Sequence, residues 1–236
     1  MSEPVLELAD VSKDYHGLRP LRIAGLSVAP AERVALLGFD QVTAEVFVNL
    51  VTGASLPERG TVRLFGRATA DIVDSADWLT VVDRVGIVSR RAVLLDALTV
   101  VQNLAMPYTL EVEPPSADMR ERALGLAREV GLGESTFDRP IAELNPADAF
   151  RARLARAIAL DPGVLLFEHP TAEVPREDTA QLAEQCRHVA ATRHVAAVAL
   201  TADRAFASAA ASRVLEWDPA TGRLASRGWL SRLRRG

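Results

Sequence analysis

Val34-Ala35-Leu36-Leu37 is an apolar run of strand type that meets Gly38 and then a helix-type stretch from about Ala44. A strand, a glycine turn and a helix N-terminus form the frame of a phosphate-binding loop. In such a loop backbone N–H groups curl around phosphate, and a lysine and a hydroxyl complete the cradle. Laid without gaps on the pattern G-x-x-G-x-G-K-S/T-T, Gly38 is the one specified position that matches. Gln41 stands at the second glycine, Thr43 at the third, Ala44 at the lysine, Glu45 at the hydroxyl and Val46 at the last threonine. Asp40 adds another acid. Acids near a helix N-terminus favour the helix by about 0.3–1 kcal/mol each, so this helix supplies its own anion and repels an external one. The frame is present and its chemistry is replaced.

The elements that must carry this loop follow from hydrophobic periodicity. Strands are expected at Val5–Val11, Leu21–Val28, Val34–Leu37, Thr61–Phe65, Arg84–Val88, Val164–Phe167, Val195–Leu200 and Arg213–Trp217. Helices are expected at Thr99–Leu104, Ser116–Val130, Pro146–Leu160, Glu177–Thr192 and Arg204–Ala210. Strands alternating with helices predict an α/β fold with a mainly parallel sheet. An antiparallel β part precedes it, and a helical subdomain is inserted. The expected division is an α/β core over 1–92 and 161–225, the helical part over 93–160 and a basic tail over 226–236.

Composition narrows the function classes. At 236 residues and 49% hydrophobic, the chain has ample core for one large domain. A net charge of −4 gives no global case for nucleic-acid binding. One cysteine, Cys186, excludes an internal disulfide framework and suits a reducing cytoplasm. No apolar run approaches the ~18–20 residues of a membrane span, and the acidic start MSEPVLELAD does not read as a signal peptide. Among 27 basic residues Lys13 is the sole lysine, so none is near the loop. Arg227, Arg232, Arg234 and Arg235 flank Trp229, Leu230 and Leu233 in a tail expected to be a solvated terminus.

Three further stretches extend the loop frame. They are Leu94-Leu95-Asp96-Ala97-Leu98-Thr99-Val100 with Asn103, then Leu144 followed by Arg151–Pro162, and Val164-Leu165-Leu166-Phe167 with Pro170-Thr171-Ala172. At this spacing the whole chain resembles the nucleotide-binding domain of an ABC (ATP-binding cassette) transporter, a P-loop NTPase-like fold. The run Leu98-Thr99-Val100 to Asn103-Leu104-Ala105-Met106-Pro107 is loosely like lipid- and lipoprotein-trafficking cassettes.

The resemblance assigns a role to each position, and most are altered. Tyr15 sits where the family's aromatic stacks on adenine. Arg90 takes the place of the Q-loop glutamine that holds magnesium and the attacking water. The signature Leu-Ser-Gly-Gly-Gln reads Leu144-Asn145-Pro146-Ala147-Asp148. Glu168 replaces the metal-side aspartate of Walker B, and His169 the glutamate that polarises water. Pro175 falls at the D-loop aspartate, and Ala202 at the switch histidine. Tyr15, Gly38 and Thr43 are the positions left to contact a nucleotide. Stacking on Tyr15 would give ~1–3 kcal/mol, whereas even millimolar affinity needs about 4 kcal/mol.

The resulting expectation is a non-hydrolysing cassette subunit, with no catalytic residue, bound metal or cofactor. The resemblance implies a transmembrane permease as partner and a second, intact cassette as a further one, with no nucleic acid. It places the chain in the cytoplasm, at the inner face of the membrane through that partner. Two alternatives stay open: an ATP-hydrolysing cassette with unorthodox residues, which would use ATP and magnesium, and a soluble scaffold unrelated to transport. In a pair with an intact cassette, Asn145 is expected to offer its side chain to the shared site. Leu94–Pro107 is expected to face the permease, with core packing as the competing role for Leu98 and Leu104. Finally, Asp40, Glu45 and Glu168 are expected to converge, with Arg90 reaching at least one of them in place of metal and nucleotide.

Overall fold

The computed structural model describes residues 3–226; the basic tail singled out above lies outside them. Two sheets stack with a helix between them. The first is antiparallel, in the order β2 (Leu21–Val28), β1 (Leu6–Lys13), β4 (Arg59–Leu64), β5 (Arg67–Ala68). The second has six strands, ordered β10 (Leu224–Ser226), β9 (Arg213–Trp217), β3 (Arg33–Leu37), β8 (Ala196–Thr201), β7 (Val164–Glu168), β6 (Val85–Val88). All its neighbours run parallel except β10 against β9.

Strand periodicity explains why the second sheet is covered on both sides. Val34 and Leu36 of β3, with Leu166 of β7 and Val198 of β8, point to one face. There they pack with α1 (Gln41–Val51) and the inner residues of the antiparallel sheet, such as Leu6, Ile23 and Val62. Ala35, Leu37, Leu165 and Ala197 alternate to the other face and meet the remaining helices. With apolar residues facing both ways, these strands read as continuous hydrophobic runs, as buried parallel strands must.

Between β6 and β7 the chain forms α3 (Val100–Ala105), α4 (Ala117–Glu129) and α5 (Pro146–Ala157). After β7 come α6 (Thr179–Thr192) and, after β8, α7 (Arg204–Ala210). None of the described helices is long and apolar enough to cross a membrane. Arg193, capping the end of α6, ties this group together. Its guanidinium binds Glu129 of α4 through two bonds (2.5 and 2.7 Å), Asp161 at 2.6 Å and the Ile158 carbonyl at 2.8 Å. Gln185 of α6 donates to the Val130 carbonyl and accepts from Arg151 of α5.

Three elements differ from the sequence expectation. A helix, α2 (Ser75–Val82), forms where no element was expected before Leu79. Asp74 caps it by accepting from the Asp77 amide, and this cap offsets the poor helix propensity of its Thr and Val residues. The short strands β5 and β10 pair only at sheet edges, which leaves little periodic pattern to read. In β1 a register shift between Ala9 and Ser12 marks a bulge. Opposite it Gly60 has φ +80, and a Cβ there would collide with the Ala9 and Asp10 backbone.

The segment before α3 depends on one buried side chain. Asn103 is fully buried; its Oδ1 accepts from the Leu95 amide at 2.7 Å. Its Nδ2 donates to the carbonyls of Leu95, Leu98 and Thr99 at 3.0–3.2 Å. Substituting Asn103→Ala strands these groups without water, so a loss of about 2–4 kcal/mol is expected. Urea unfolding measures it, with faster hydrogen exchange at the Leu95 amide as the local signature.

Candidate functional site

The loop after β3 is shaped by what its residues pack against. Gly38 takes φ +100, with the Trp217 carbonyl 3.3 Å from where a Cβ would sit. Phe39 turns inward and is buried, stacking on Trp217 (4.6 Å between centroids) and meeting Phe47 edge-on at 5.8 Å. This anchors the loop to β9 and α1.

Helix α1 begins at Gln41, three residues before the expected Ala44. The cause is a capping box. Thr43 donates its amide (2.8 Å) and its hydroxyl (2.7 Å) to Asp40 Oδ1, and the Asp40 amide donates back to Thr43 Oγ1 at 3.0 Å. Asp40 therefore occupies the position that an anion would take at this helix start. The hydrogen bonds from Thr43 hold its carboxyl below the usual range, with help from the nearby His169. Ala44, at the lysine position, is fully buried in the core.

At the far side of the loop, the end of β7 presents Glu168, whose side chain is only 4% exposed. A buried carboxylate requires a partner, and the partner is Arg91. Its Nη2 donates to Glu168 at 2.8 Å, Nε lies 3.3 Å from both carboxylate oxygens, and Nη1 lies 3.3 Å from Glu45. These bonds raise the Arg91 pKa further above its ordinary value. The expectation for Arg90 is corrected here: its guanidinium pairs with Glu173 at 2.9 Å, outside the three acids. The Arg91 amide bonds to Ser89 Oγ at 3.1 Å, and the chain turns so that the second arginine, not the first, faces β7. Glu45 and Glu168 do converge, through one cation. Asp40 is satisfied separately by Thr43.

His169 follows with φ +46, its amide bonded to the Leu200 carbonyl at 2.9 Å and its Nε2 buried without a hydrogen-bond partner among the described residues. It lines a cavity of about 20 Å³, room for about one water, with Arg90, Arg153, Glu168, Glu173 and Pro146. Glu173 is shared between Arg90 and Arg153 (3.3 Å). Neither Arg91 nor Glu173 stood out in the sequence, though the adjacent pair Arg90-Arg91 was a visible ambiguity.

The start of α5 is a second capping unit. Asn145 Oδ1 accepts from the Asp148 amide at 2.8 Å, and its Nδ2 donates to Asp148 Oδ2 at 2.9 Å. Pro146 holds the first helical position, where no N–H is needed. Asp148 also pairs with Arg151 at 2.7 Å. Asn145 thus uses both ends of its side chain within the first turn of α5. Tyr15 is half-buried against the core beneath the antiparallel sheet, its ring over Gly17. Ala202 is exposed after β8, and its neighbour Asp203 caps α7. Gln41 is exposed at the start of α1, while Pro175 is exposed in the loop before α6.

These groups do not suit a triphosphate with its magnesium ion. The helix start carries its own carboxylate, the lysine position is buried alanine, and the two other acids share the single cation Arg91, which leaves a net negative charge. A phosphate placed there would meet Asp40 and Glu45.

No family model matches the chain. It is 30% identical over 222 residues to the pyoverdine export ATP-binding/permease protein PvdT of Pseudomonas entomophila, covering 92% of this chain and 33% of that protein. It is 33% identical over 175 residues to the lipoprotein-releasing system ATP-binding protein LolD of Maricaulis maris, covering 72% of this chain and 76% of that one. The chain spans 33–58% of the length of the curated relatives that match 92% of it. In structure it is similar to cbiO1 of Clostridium perfringens, part of the ABC transporter complex cbiONQ. The TM-score is 0.80 at 18% identity, over 95% of this chain and 88% of that one.

The two arginines at the end of β6 are expected to behave differently. Arg91→Ala leaves Glu168 buried and unpaired, for a loss of about 2–3 kcal/mol. Arg90→Ala removes a pair that is 56% and 37% exposed and should cost about 0–1 kcal/mol. Denaturant midpoints of both variants check this, and Glu168→Leu added to Arg91→Ala should recover most of the loss.

Proposed function

The chain belongs to the ATP-binding cassette family of ABC transporters, and we propose that it serves there as a non-hydrolysing subunit that docks on a transmembrane partner. The observation that carries this reading is Arg91 set between Glu45 and Glu168, where the family frame would otherwise seat metal and phosphate. The Asp40–Thr43 and Asn145–Asp148 capping units support it, because both use for local stability groups that a nucleotide would need. The alternative of an ATP-hydrolysing subunit draws on the relatives, whose names describe ATP-binding proteins.

Docking is supported by the stretch before and within α3. Val100, Val101 and Leu104 are core residues, while Leu98 is half-buried. Val93 and Leu95 are exposed at 65% and 44%, and Asp96 and Ala97 are exposed beside them. Next to them lies a groove of about 400 Å³ between β6 and α5, lined by Val82, Ile87, Met106, Pro107, Ala157 and Leu160. Exposed apolar side chains beside a largely apolar groove that also carries Asp83, Arg153 and Arg156 suit a protein partner.

Calorimetry of the purified chain is expected to show no saturable Mg-ATP binding up to millimolar nucleotide. Micromolar, magnesium-dependent affinity would falsify the pseudo-ATPase reading. Ala44→Lys alone should not restore binding, because Asp40, Thr43 and Glu45 remain. For docking, Leu95→Glu with Ala97→Glu should leave the melting temperature unchanged and abolish co-purification with a co-expressed permease. Undiminished co-purification would remove this surface from the reading.

A further inference from the structure

The cavity of about 20 Å³ beside His169 lies between the end of β6, the start of α5 and the loop after β7. Three side chains on its lining hold donors that find no acceptor among the described residues. Ser89 is 3% exposed; its oxygen accepts from the Arg91 amide at 3.1 Å, and its own proton goes to no described residue. Arg153 donates from Nη1 to Glu173 at 3.3 Å, which leaves its Nε buried and unbonded. His169 Nε2 is buried and unbonded as well. Such groups are uncommon in a folded chain, because each has lost its water and gained nothing in return. The carboxylates on the lining are already engaged: Glu173 accepts from Arg90 and Arg153, and Glu168 from Arg91. Val88, Phe150, Pro170 and Val174 complete an apolar wall, beside which a contact between donor and charge is strengthened.

From these unmet donors around a space of this size, we propose that the cavity binds a single halide ion, chloride, held by Ser89, Arg153 and His169. The histidine contributes in the tautomer that carries its proton on Nε2. A water accepts from two donors and must then place its own protons, whereas chloride accepts from all three and has none to place. A tetrahedral phosphate is too large for room that suits about one water. The cavity is also separate from the phosphate-loop frame, whose helix start is filled by Asp40. Glu168 is the group on the lining that opposes an anion most, and Arg91 screens it through both carboxylate oxygens. The ion ties α5 to the end of β6 and to the loop after β7, and it needs neither nucleotide nor partner to do so.

The test uses the purified full chain, with chloride replacing gluconate at constant ionic strength. The melting temperature is expected to rise with the logarithm of chloride, by about 3–6 °C once chloride exceeds its Kd tenfold. Arg153→Met keeps much of the side chain's length, removes the donor and should lose this rise. Arg120→Met removes a cation paired with Asp138 at the surface and should keep it, which separates the site from general screening. Crystals grown in bromide should show an anomalous peak inside the cavity, and this reads the site directly even if the Arg153 variant fails to fold. A water only in the cavity, or a rise that survives Arg153→Met, would overturn the proposal. A bromide peak without any chloride-dependent rise marks an adventitious ion only, and overturns it as well.

Discussion

One guanidinium holds the centre of this molecule together. Glu168 ends β7, a strand buried along its whole length in a sheet covered on both faces, where an unpaired carboxylate would be costly. Glu45 approaches from α1, and Arg91 meets both. The bridge joins the helix after β3 to the end of β7, the two elements between which ABC cassettes place their chemistry. Local side-chain bonding recurs at Asp40 and at Asn145, each of which caps a helix.

Much of the fold could be read from periodicity, because the strands of the parallel sheet are uninterrupted apolar runs. Val164–Phe167 and Val195–Leu200 announce themselves, as do helices with strong starts such as Asn145-Pro146. What escaped lacked either period or length. Helix α2 is eight residues with no buried side chain, held by its cap and edge packing. Strand β10 is three residues on an edge. The early start of α1 was present in the text as Asp40-x-x-Thr43, a capping pattern overlooked because the phosphate-loop pattern was laid over it.

The site shows where one-dimensional reading stops. That an arginine would pair with gathered acids follows from charge alone, and one does pair with Glu45 and Glu168, while Asp40 is bound by Thr43. Which arginine does so depends on how the chain turns after β6. Adjacent residues leaving a strand point in opposed directions, so a shift of one residue separates a bridge to Glu168 from an exposed pair with Glu173. No property of Arg90 or Arg91 as residues encodes that difference. It is set by Ser89 and the packing around it.

Arg193 has a mechanical meaning beyond its bonds. It grips Glu129, Asp161 and the Ile158 carbonyl at once, while the apolar cluster beneath it runs unbroken from α4 through α5 to α6. For the helices between β6 and β7 to swing against α6, the bonds from Arg193 to Glu129 and to the Ile158 carbonyl must break together, because one guanidinium makes both.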